Sequence, residues 1–591
     1  MKELLSGNEA IARGAYEYGV RVATAYPGTP STEILENIEQ YKDDIYCEWS
    51  PNEKVSMEVA IGSAFAGVKS LVAMKHVGLN VAADPFMTLS YTGIKGGLVI
   101  VSADDPSMHS SQNEQDNRHY ARFAKVPMLE PADSQEAKDF VGAALDISEE
   151  YDTPVILRTT TRISHAKTVV ESGERKEDPV PEEFKKDPDK FVMVPANARK
   201  RHPIVEERMG KLKSYAEDTE LNSIEWNDKE VGIVTGGVAY NYAKEVFPES
   251  SILKLGLTYP LPEKKIKEFA SQVEKLYVIE ELDPFLEDQI KAMGIEVIGK
   301  EKLPVLYEYN TKVLKDNLLE REDVKDKSET QAEDDLEQVD IPHRPPALCA
   351  GCPHRGVFYT LNKLGVTVTG DIGCYALGVV PPLSAMDTVV CMGASIGNAF
   401  GIELALGEKA KGKVVGVIGD STFMHSGITG LLDIVYNQGA STIVILDNRI
   451  TAMTGHQENP TTGKTLMGED TVSIDLAELS EALGVKSVNV VDPYDLEETK
   501  KTIEKELEKD EISVIIARRA CALLKQVKRK TPFKVDPEIC QDCGLCLDIG
   551  CPALSKGEGH TIIDDYLCTG CGVCTQVCPF DAIVKDGDSD E

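Results

Sequence analysis

Residues 414–421 read VVGVIGDS, an apolar run that stops at Asp420. Such a run, followed by a Gly-Asp turn, is typical of a buried strand whose carboxyl end leads into a helix. Residues 442–448, TIVILDN, repeat the arrangement and end at Asp447 and Asn448. Because doubly wound parallel sheets bind ligands at the carboxyl ends of their strands, the two stretches predict an α/β sheet with a polar ligand-binding edge.

The same alternation of apolar runs and helical stretches recurs along most of the chain. It predicts several doubly wound parallel-sheet units rather than one core, because 591 residues exceed what a single core supports. An acidic stretch separates the second unit from the third, and a cysteine-rich module closes the chain. The predicted segments are residues 1–190, 191–317, 318–346 (the acidic linker), 347–530 and 531–591.

Charge and composition exclude several function classes. The 63 Lys and Arg against 98 Asp and Glu give a formal charge of −35, which argues against binding to nucleic acid or to an anionic membrane. The start of the chain, MKELLS, lacks the apolar run of a signal peptide. No charge-free apolar stretch reaches the roughly 18 residues of a membrane span. We therefore expect a cytoplasmic protein.

Eight of the fourteen cysteines lie between Cys540 and Cys578. They form two CxxCxxC runs, each completed by a Cys-Pro pair, and the first run has one extra residue before its last cysteine, Cys551. Three thiolates on one tight loop can hold three corners of an iron–sulfur cubane. A disulfide framework belongs to small secreted chains, and a pair of zinc sites fits this duplicated pattern less well.

The pattern resembles the bacterial ferredoxins that carry two [4Fe–4S] clusters, in which the last cysteine of each run binds the other cluster. The resemblance implies two ligand sets: Cys540, Cys543, Cys546 and Cys578 for cluster 1, and Cys551, Cys568, Cys571 and Cys574 for cluster 2.

The acidic turns of the third unit resemble the thiamine-diphosphate motif, in which GDG is followed after about 25–30 residues by an Asn pair. Here Ser421 replaces the third Gly. The resemblance implies that Gly419, Asp420 and Ser421 bind the diphosphate, and that Mg²⁺ takes oxygens from Asp420, Asn448 and the Ile450 carbonyl. A plain turn after a strand is the alternative.

Several longer motifs resemble the 2-oxoacid:ferredoxin oxidoreductases, and in particular the large subunit of the indolepyruvate branch. They are YPGTPS (residues 26–31), MKHVGLN (74–80), DDPSMHSSQ (104–112), GLTYPLP (256–262) and LCAGCPHR (348–355). The resemblance implies that residues 1–190 bind the thiamine pyrimidine, residues 191–317 form a transketolase C-terminal-like domain, and residues 347–530 bind thiamine diphosphate and Mg²⁺.

The same resemblance implies roles for individual residues of the first unit. Glu53 matches the glutamate that activates the thiamine pyrimidine, and Thr29 lies beside the substrate. His76 is a candidate catalytic residue, as an acid–base or an orienting group, and His109 and His354 are further candidates for either role. The alternatives are a Glu that simply favours a helix start and histidines with structural roles.

Two questions stay open from the sequence. The pyruvate enzymes bind the substrate carboxylate with an Arg where this chain has Asp104, so pyruvate is disfavoured as substrate, and Arg118 or Arg122 are alternative partners. The pyruvate enzymes also bind a further cluster through cysteines near these positions. Here Cys349, Cys352, Cys374 and Cys521 either bind a third [4Fe–4S] cluster or are buried thiols.

The resemblance implies ferredoxin-dependent oxidative decarboxylation of an aryl pyruvate, with indolepyruvate and coenzyme A giving indoleacetyl-CoA and CO₂. It also implies a small beta subunit, usually in an α2β2 heterotetramer, and ferredoxin as electron acceptor. The alternatives are an oxidoreductase for another 2-oxoacid, a non-oxidative thiamine decarboxylase or ligase, and a non-catalytic electron-transfer subunit.

Overall fold

The computed structural model of the chain describes residues 1–176, 180–319 and 346–586. It divides into two compact units, Met1–Asp340 and Ile341–Glu591. Nearly all of the predicted acidic linker, residues 318–346, lies outside the described residues. Within the described ranges, no helix is both long enough and apolar enough to cross a bilayer.

The first unit alternates strands and helices. Its strands are Lys2–Ser6 (β1), Val22–Ala25 (β2), Tyr46–Trp49 (β3), Ser70–Lys75 (β4), Leu98–Asp104 (β5), Met128–Leu129 (β6), Val155–Thr160 (β7), Lys167–Glu171 (β8), Asn222–Glu225 (β9), Asp228–Gly236 (β10), Ser250–Leu255 (β11), Leu257–Tyr259 (β12) and Lys275–Ile279 (β13). Its helices are Gly7–Glu17 (α1), Thr32–Ile38 (α2), Glu53–Ala66 (α3), His76–Val81 (α4), Ala83–Thr92 (α5), Arg118–Ala124 (α6), Ser134–Tyr151 (α7), Thr161–His165 (α8), Pro188–Phe191 (α9), Pro195–Asp218 (α10), Ala239–Val246 (α11), Glu263–Ala270 (α12), Phe285–Ala292 (α13) and Thr311–Leu318 (α14).

The main sheet of the first unit has the strand order β12-β6-β7-β5-β4-β2-β3 and is parallel except for β12. After β2 the chain adds β3 on one side and then returns to place β4 on the other side. The carboxyl ends of β2 and β4 therefore flank a topological switch point, where open α/β sheets bind ligands. A smaller sheet, β13-β10-β11-β9, follows.

The second unit contains another parallel sheet and a small C-terminal module. Its strands are Thr367–Gly370 (β14), Thr388–Val389 (β15), Val414–Gly419 (β16), Thr442–Asp447 (β17), Ser487–Val491 (β18), Ser513–Arg518 (β19), Phe533–Val535 (β20), Leu554–Lys556 (β21), Thr561–Ile563 (β22) and Ile583–Lys585 (β23). Its helices are His354–Leu364 (α15), Ala394–Leu406 (α16), Asp420–Thr422 (α17), Ile428–Tyr436 (α18), Leu476–Ala482 (α19) and Leu496–Leu507 (α20).

The six-stranded sheet of the second unit has the order β15-β14-β16-β17-β19-β18, and every pair in it is parallel. Its switch point lies between β14 and β16. Strands β16 and β17 are buried along their whole length, as expected for a sheet covered by helices on both faces. In the C-terminal module β20 pairs with β23 and β21 with β22. The predicted α/β class with a C-terminal ferredoxin-like module is confirmed.

Two arginines of the first unit are buried among carboxylates. The guanidinium of Arg118 pairs with Asp116 and Glu280, and that of Arg158 pairs with Asp104 through an Nε–Oδ2 distance of 2.7 Å. Burial raises the pKa of Asp116, but the attraction of Arg118 outweighs it and the resulting pKa is about 2. Both guanidinium groups are therefore structural cations, and Arg118 is not free to bind a substrate carboxylate.

We expect Arg118→Met to lower the free energy of unfolding by about 3–5 kcal/mol, because it leaves two buried carboxylates without their cation. Urea unfolding of the full chain, followed by circular dichroism, measures the change. The stabilisation should be present above pH about 4 and decline as the pH falls towards 2. Arg122→Met, on the exposed face of the same helix, is the control and should change stability by about 0.5 kcal/mol at most. Equal stabilities of the two variants would contradict this assignment.

Candidate functional site

The loops that follow β2 and β4 meet at the switch point of the first unit. The backbone carbonyl of Thr29, which is half-buried after β2, accepts a hydrogen bond from Ser110 Oγ at 3.1 Å. A Cβ atom added to Gly28 would lie 3.2 Å from the Lys75 side chain. The Thr29 loop is therefore packed against the end of β4, at the edge where the sheet topology predicts a ligand.

Glu53 is the first residue of α3 and its side chain is buried. The Asn52 side chain caps the helix by accepting a hydrogen bond from Val55 N at 2.9 Å, which fixes the position of Glu53 in the first turn. A Cβ atom on Gly78 would come within 2.8 Å of Glu53 Oε1. The absence of a side chain at Gly78 thus leaves room for the Glu53 carboxyl group beside the start of α4.

His76 begins α4 and is fully buried. Its Nε2 lies 3.2 Å from the Asn113 carbonyl oxygen, and burial followed by repulsion from Lys75 lowers its pKa to about 4. The ring is therefore neutral at physiological pH. His109, the second histidine candidate, is exposed and lies 3.4 Å from Glu308.

Lys75 was not among the predicted site residues, although it belongs to the MKHVGLN motif. It is the last residue of β4, and its ammonium group donates a hydrogen bond to Ser110 O at 2.9 Å. The signal available in the sequence is a lysine that directly follows the apolar run LVAM (residues 71–74), at a strand end that is expected to face a ligand.

The second candidate centre lies at the carboxyl end of β16. Gly419 closes this strand, and a Cβ atom there would lie 2.6 Å from the Tyr375 ring. Asp420 then begins a helical stretch that continues through a π-turn, Phe423–Gly427, into α18. Helix starts attract anions through their unpaired N–H groups, and π-turns are frequent at functional sites. Gly419 and Asp420 thus lie where a buried strand ends and a helical stretch begins.

Asp420 and Asn448 are brought together by the loop after β17. Asp420 Oδ2 accepts a hydrogen bond from Arg449 N at 2.9 Å, and Asn448 Oδ1 accepts one from Ile450 N at 3.2 Å. Ser421 Oγ accepts a hydrogen bond from Thr451 at 2.9 Å. The residues predicted from two distant turns therefore occupy one edge of the sheet.

The electrostatics of Asp420 favour a cation at this edge. Burial, and then repulsion by the nearby Asp447 carboxylate, raise the pKa of Asp420 to about 7. A divalent cation bound between carboxylate and amide oxygens would remove this penalty. His354, the third histidine candidate, lies 3.3 Å from the Asn448 amide, and burial lowers its pKa to about 4.

The C-terminal module has two cavities, each ringed by four cysteines. One cavity is lined by Cys540, Cys543, Cys546 and Cys578, and the other by Cys551, Cys568, Cys571 and Cys574. Each set takes three cysteines from one run and the final cysteine of the other run. The cysteines are thus grouped in the two crossed sets that the resemblance to ferredoxins implies as cluster ligands.

The extra residue before Cys551 is accommodated without displacing this cysteine. Gly550 adopts a left-handed conformation with φ of +66°. Its carbonyl oxygen accepts a hydrogen bond from Arg355, as does that of Ile549 at 3.2 Å. Because glycine adopts positive φ at low cost, the longer turn still delivers Cys551 to the second cavity.

Four further cysteines of the second unit lie close to one another. Burial, and then the neighbouring thiols of Cys521 and Cys349, raise the pKa of Cys374 to about 11. Burial is also the larger cause of the raised pKa of Cys352, and the neighbouring thiols of Cys349 and Cys374 raise it further. Cys521 N donates a hydrogen bond to Asn448 O at 3.0 Å, so this group of thiols adjoins the Asp420 edge.

Arg355 and Tyr494 connect this group to the second cavity. Arg355 is buried and also donates hydrogen bonds to the carbonyl oxygens of Leu348 and Cys349. The Tyr494 hydroxyl donates to Gly351 O, and Gly351 lines the cavity of Cys551. Neither residue was predicted, because each acts between segments that are distant in sequence.

Three protein families match segments of the chain. "Pyruvate flavodoxin/ferredoxin oxidoreductase, thiamine diP-bdg" matches residues 13–231, "Thiamine pyrophosphate enzyme, C-terminal TPP binding domain" matches residues 371–517, and "4Fe-4S binding domain" matches residues 561–584. The matched segments include Glu53, the Asp420 edge and the second cysteine run.

Curated relatives resemble the chain over almost its whole length. Proteins named indolepyruvate oxidoreductase subunit IorA from Methanothermobacter thermautotrophicus and Pyrococcus horikoshii are each 43% identical, over 99% of this chain and 98% and 97% of their own lengths. The protein of that name from Archaeoglobus fulgidus is 42% identical, over 98% of this chain and 97% of its own.

Proposed function

The chain belongs to the indolepyruvate oxidoreductase subunit IorA family, and from this membership we propose that it is the thiamine-diphosphate-binding subunit of an indolepyruvate:ferredoxin oxidoreductase. It is an enzyme of the 2-oxoacid:ferredoxin oxidoreductase class. The proposed reaction converts indolepyruvate, coenzyme A and oxidised ferredoxin to indoleacetyl-CoA, CO₂ and reduced ferredoxin. The observation that carries the proposal is one unit that combines the Asp420 edge with two cysteine-ringed cavities.

The donors at the Asp420 edge suit a magnesium-bound diphosphate. We assign Mg²⁺ to the side-chain oxygens of Asp420 and Asn448 and to the Ile450 carbonyl, and the diphosphate to the helix start that follows Gly419. The raised pKa of Asp420 supports this assignment, because the site is electrostatically incomplete without a cation. Thiamine diphosphate, when bound, supplies the electron sink that allows a 2-oxoacid to lose CO₂.

We assign the pyrimidine ring to the first unit, where Glu53 would accept a hydrogen bond from it. The buried position of Glu53 at a helix start supports this role, since exclusion of water strengthens such a hydrogen bond. Thr29 is placed beside the substrate by the loop after β2. His76, neutral because burial lowers its pKa, would orient groups through hydrogen bonding rather than through charge.

The electrons are passed to iron–sulfur clusters. We assign one [4Fe–4S] cluster to the cavity of Cys540 and a second to the cavity of Cys551, with the two ligand sets described above. Both cavities are small and ringed by sulfur atoms, which fits cubanes held by four thiolates. The Cys546 thiol of one set contributes to the raised pKa of Cys574 in the other set, which supports our proposal that the two clusters exchange electrons.

We further propose that Cys349, Cys352, Cys374 and Cys521 bind a third cluster. The proposal is supported by the neighbouring thiols of this group, which contribute to the raised pKa values of Cys352, Cys374 and Cys521, and Asp420 also contributes to that of Cys521. Gly351, between two of these cysteines, lines the cavity of Cys551. The third cluster would thus receive electrons next to the thiamine edge and deliver them to the C-terminal module.

Iron analysis of the anaerobically purified complex should give about twelve iron atoms per chain, four for each cluster. Cys374→Ser should reduce the count by about four without affecting the C-terminal clusters. Cys391→Ser, which alters an exposed cysteine outside the three groups, is the control and should retain about twelve. About eight iron atoms in the unaltered chain would rule out the third cluster.

The family name also bears on partners, because an IorA chain is one subunit of its enzyme. We propose a small beta subunit in an α2β2 heterotetramer, ferredoxin as the acceptor, coenzyme A as co-substrate and a cytoplasmic location. The net charge of −35 means that an acidic ferredoxin requires a local docking patch.

A panel of 2-oxoacids distinguishes indolepyruvate from other substrates of this class. The complex, co-expressed with its small subunit, is assayed anaerobically with coenzyme A, and ferredoxin reduction is measured. We expect the highest kcat/KM for indolepyruvate and other aryl pyruvates. Preference for pyruvate or 2-oxoglutarate would contradict the assigned substrate while leaving the reaction class intact. Thiamine-dependent CO₂ release without ferredoxin reduction would contradict the oxidoreductase reaction itself.

A further inference from the structure

Lys75 lies at the carboxyl edge of the first sheet, where parallel sheets of this topology bind ligands. It is the last residue of β4, and β4 lies between β2 and β5 in the sheet. In the β4–β5 register Lys75 is paired with Ala103, one residue before Asp104. The Lys75 ammonium group therefore lies beside the switch point, and the loop that carries Thr29 begins at the same edge, after β2.

The contacts of Lys75 connect the residues assigned to cofactor and substrate. Its aliphatic stem packs against Gly28, one residue before Thr29, with a distance of 3.2 Å to the position of a Cβ atom. Its charge interacts favourably with the carboxylates of Glu53 and Asp105. Its ammonium group carries three donors, and one of them is directed at Ser110 O.

The sequence offered Arg118 and Arg122 as partners for a substrate carboxylate, and the structure adds Arg158 as a third arginine to consider, but each of the three is either paired with carboxylates or exposed. Arg118 pairs with Asp116 and Glu280 inside the unit. Arg158 pairs with Asp104, so neither charge is available to a ligand. Arg122 is exposed on the outer face of α6. Among these candidates and Lys75, only Lys75 is both half-buried and beside Glu53.

We propose that Lys75 binds the carboxylate of the 2-oxoacid substrate. The inference rests on the proposed function, which requires a carboxylate to be held next to the pyrimidine half of the site. A charge-assisted hydrogen bond from a half-buried ammonium group would orient the substrate, with its carbonyl carbon towards the cofactor.

The protonation of Lys75 predicts how substrate binding depends on pH. Burial lowers the pKa of Lys75 to about 8, while Asp105 and Glu53 oppose the decrease. His76, the neighbouring titratable group, is neutral throughout this range. The ammonium form is present below pH about 8, so substrate affinity should be full there and decline at higher pH. Lys75→Arg, which stays charged, should remove this decline.

Ligand binding to the thiamine-loaded complex tests the role of Lys75 without turnover. Two unreactive probes are compared by calorimetry: indole-3-propionate, which carries a carboxylate, and indole-3-ethanol, which does not. Lys75→Met should lower the affinity for indole-3-propionate by roughly 100-fold or more, whereas the affinity for indole-3-ethanol should change by no more than about threefold. Lys75→Arg should retain most of the affinity for the carboxylate probe.

Lys54→Met is the matched control, because Lys54 adjoins Glu53 in sequence but its side chain is exposed and paired with Glu58. It should bind both probes as the unaltered complex does. Normal affinity of Lys75→Met for indole-3-propionate would overturn the proposal. The proposal would also be overturned if Lys75→Met lost affinity equally for both probes and for thiamine diphosphate. That result would show that Lys75 supports the position of Glu53 and does not bind the carboxylate. A wild-type complex that neither binds a carboxylate probe nor reduces ferredoxin would refute the proposed function itself.

Discussion

Glu53→Gln is expected to lower kcat for 2-oxoacid oxidation by roughly 10²–10⁴-fold while thiamine diphosphate stays bound. The variant keeps the size of the side chain and its capacity to form hydrogen bonds, but it removes the carboxylate that we assign to the pyrimidine. Because Glu53 is buried at the first turn of α3, water cannot readily replace its oxygen atoms. Anaerobic steady-state kinetics with ferredoxin as acceptor, together with a thiamine assay of the purified protein, measure the two effects.

Glu58→Gln provides the matched control for this experiment. Glu58 lies on the same helix, is exposed and pairs with Lys54. The kcat of the Glu58→Gln variant should therefore stay within about twofold of that of the unaltered complex. If Glu53→Gln retained the activity of Glu58→Gln with cofactor bound, the assignment of Glu53 to the cofactor would be wrong.

Asp420→Ala is expected to weaken the binding of thiamine diphosphate and Mg²⁺ by more than roughly 100-fold. Loss of a residue that only supports a metal ligand already costs about 10- to 100-fold, and Asp420 is assigned as a ligand itself. Titration of the cofactor-free complex with Mg²⁺ and thiamine diphosphate, followed by intrinsic fluorescence, gives the two affinities. Asp433→Ala removes an exposed carboxylate from α18 and should bind the cofactor normally.

The thermal stability of the cofactor-free Asp420→Ala protein separates a binding defect from a folding defect. Burial and the Asp447 carboxylate raise the pKa of Asp420, so its ionisation is unfavourable in the folded protein without a cation, and this cost offsets the hydrogen bonds that Asp420 accepts from the backbone. The variant should therefore melt close to the unaltered protein when both lack cofactor, and it should gain less stability when Mg²⁺ and thiamine diphosphate are added. A variant that binds the cofactor normally would show that Mg²⁺ has other ligands.

The features that sequence predicted best are those encoded over short distances. The spacing of Cys568, Cys571 and Cys574 fixes three thiols on one loop, whatever the rest of the chain does. Asp420 and Asn448 were identified because each directly follows an apolar strand, and parallel strands bring such turns to the same edge. The crossing of Cys578 to the other cysteine set followed from resemblance and is matched by the lining of the cavities.

The features that sequence did not predict depend on partners that are distant along the chain. Arg118 was considered for the substrate carboxylate, but its charge is taken up by Glu280, 162 residues away. Lys75 is not among the site residues predicted from sequence, because its position beside the Thr29 loop depends on the strand order that puts β4 next to β2. Strand β12, assigned by sequence to the second segment, pairs with β6 and extends the first sheet. Local patterns do not contain these pairings.

The central claim is that decarboxylation at a thiamine centre reduces iron–sulfur clusters within the same complex. Its most direct test is the visible absorbance of the anaerobically purified complex, with thiamine diphosphate and iron both verified, after addition of indolepyruvate and coenzyme A without ferredoxin. We predict that the cluster absorbance bleaches within the first turnover and returns when oxidised ferredoxin is added. Unchanged absorbance in the fully loaded complex would contradict the account.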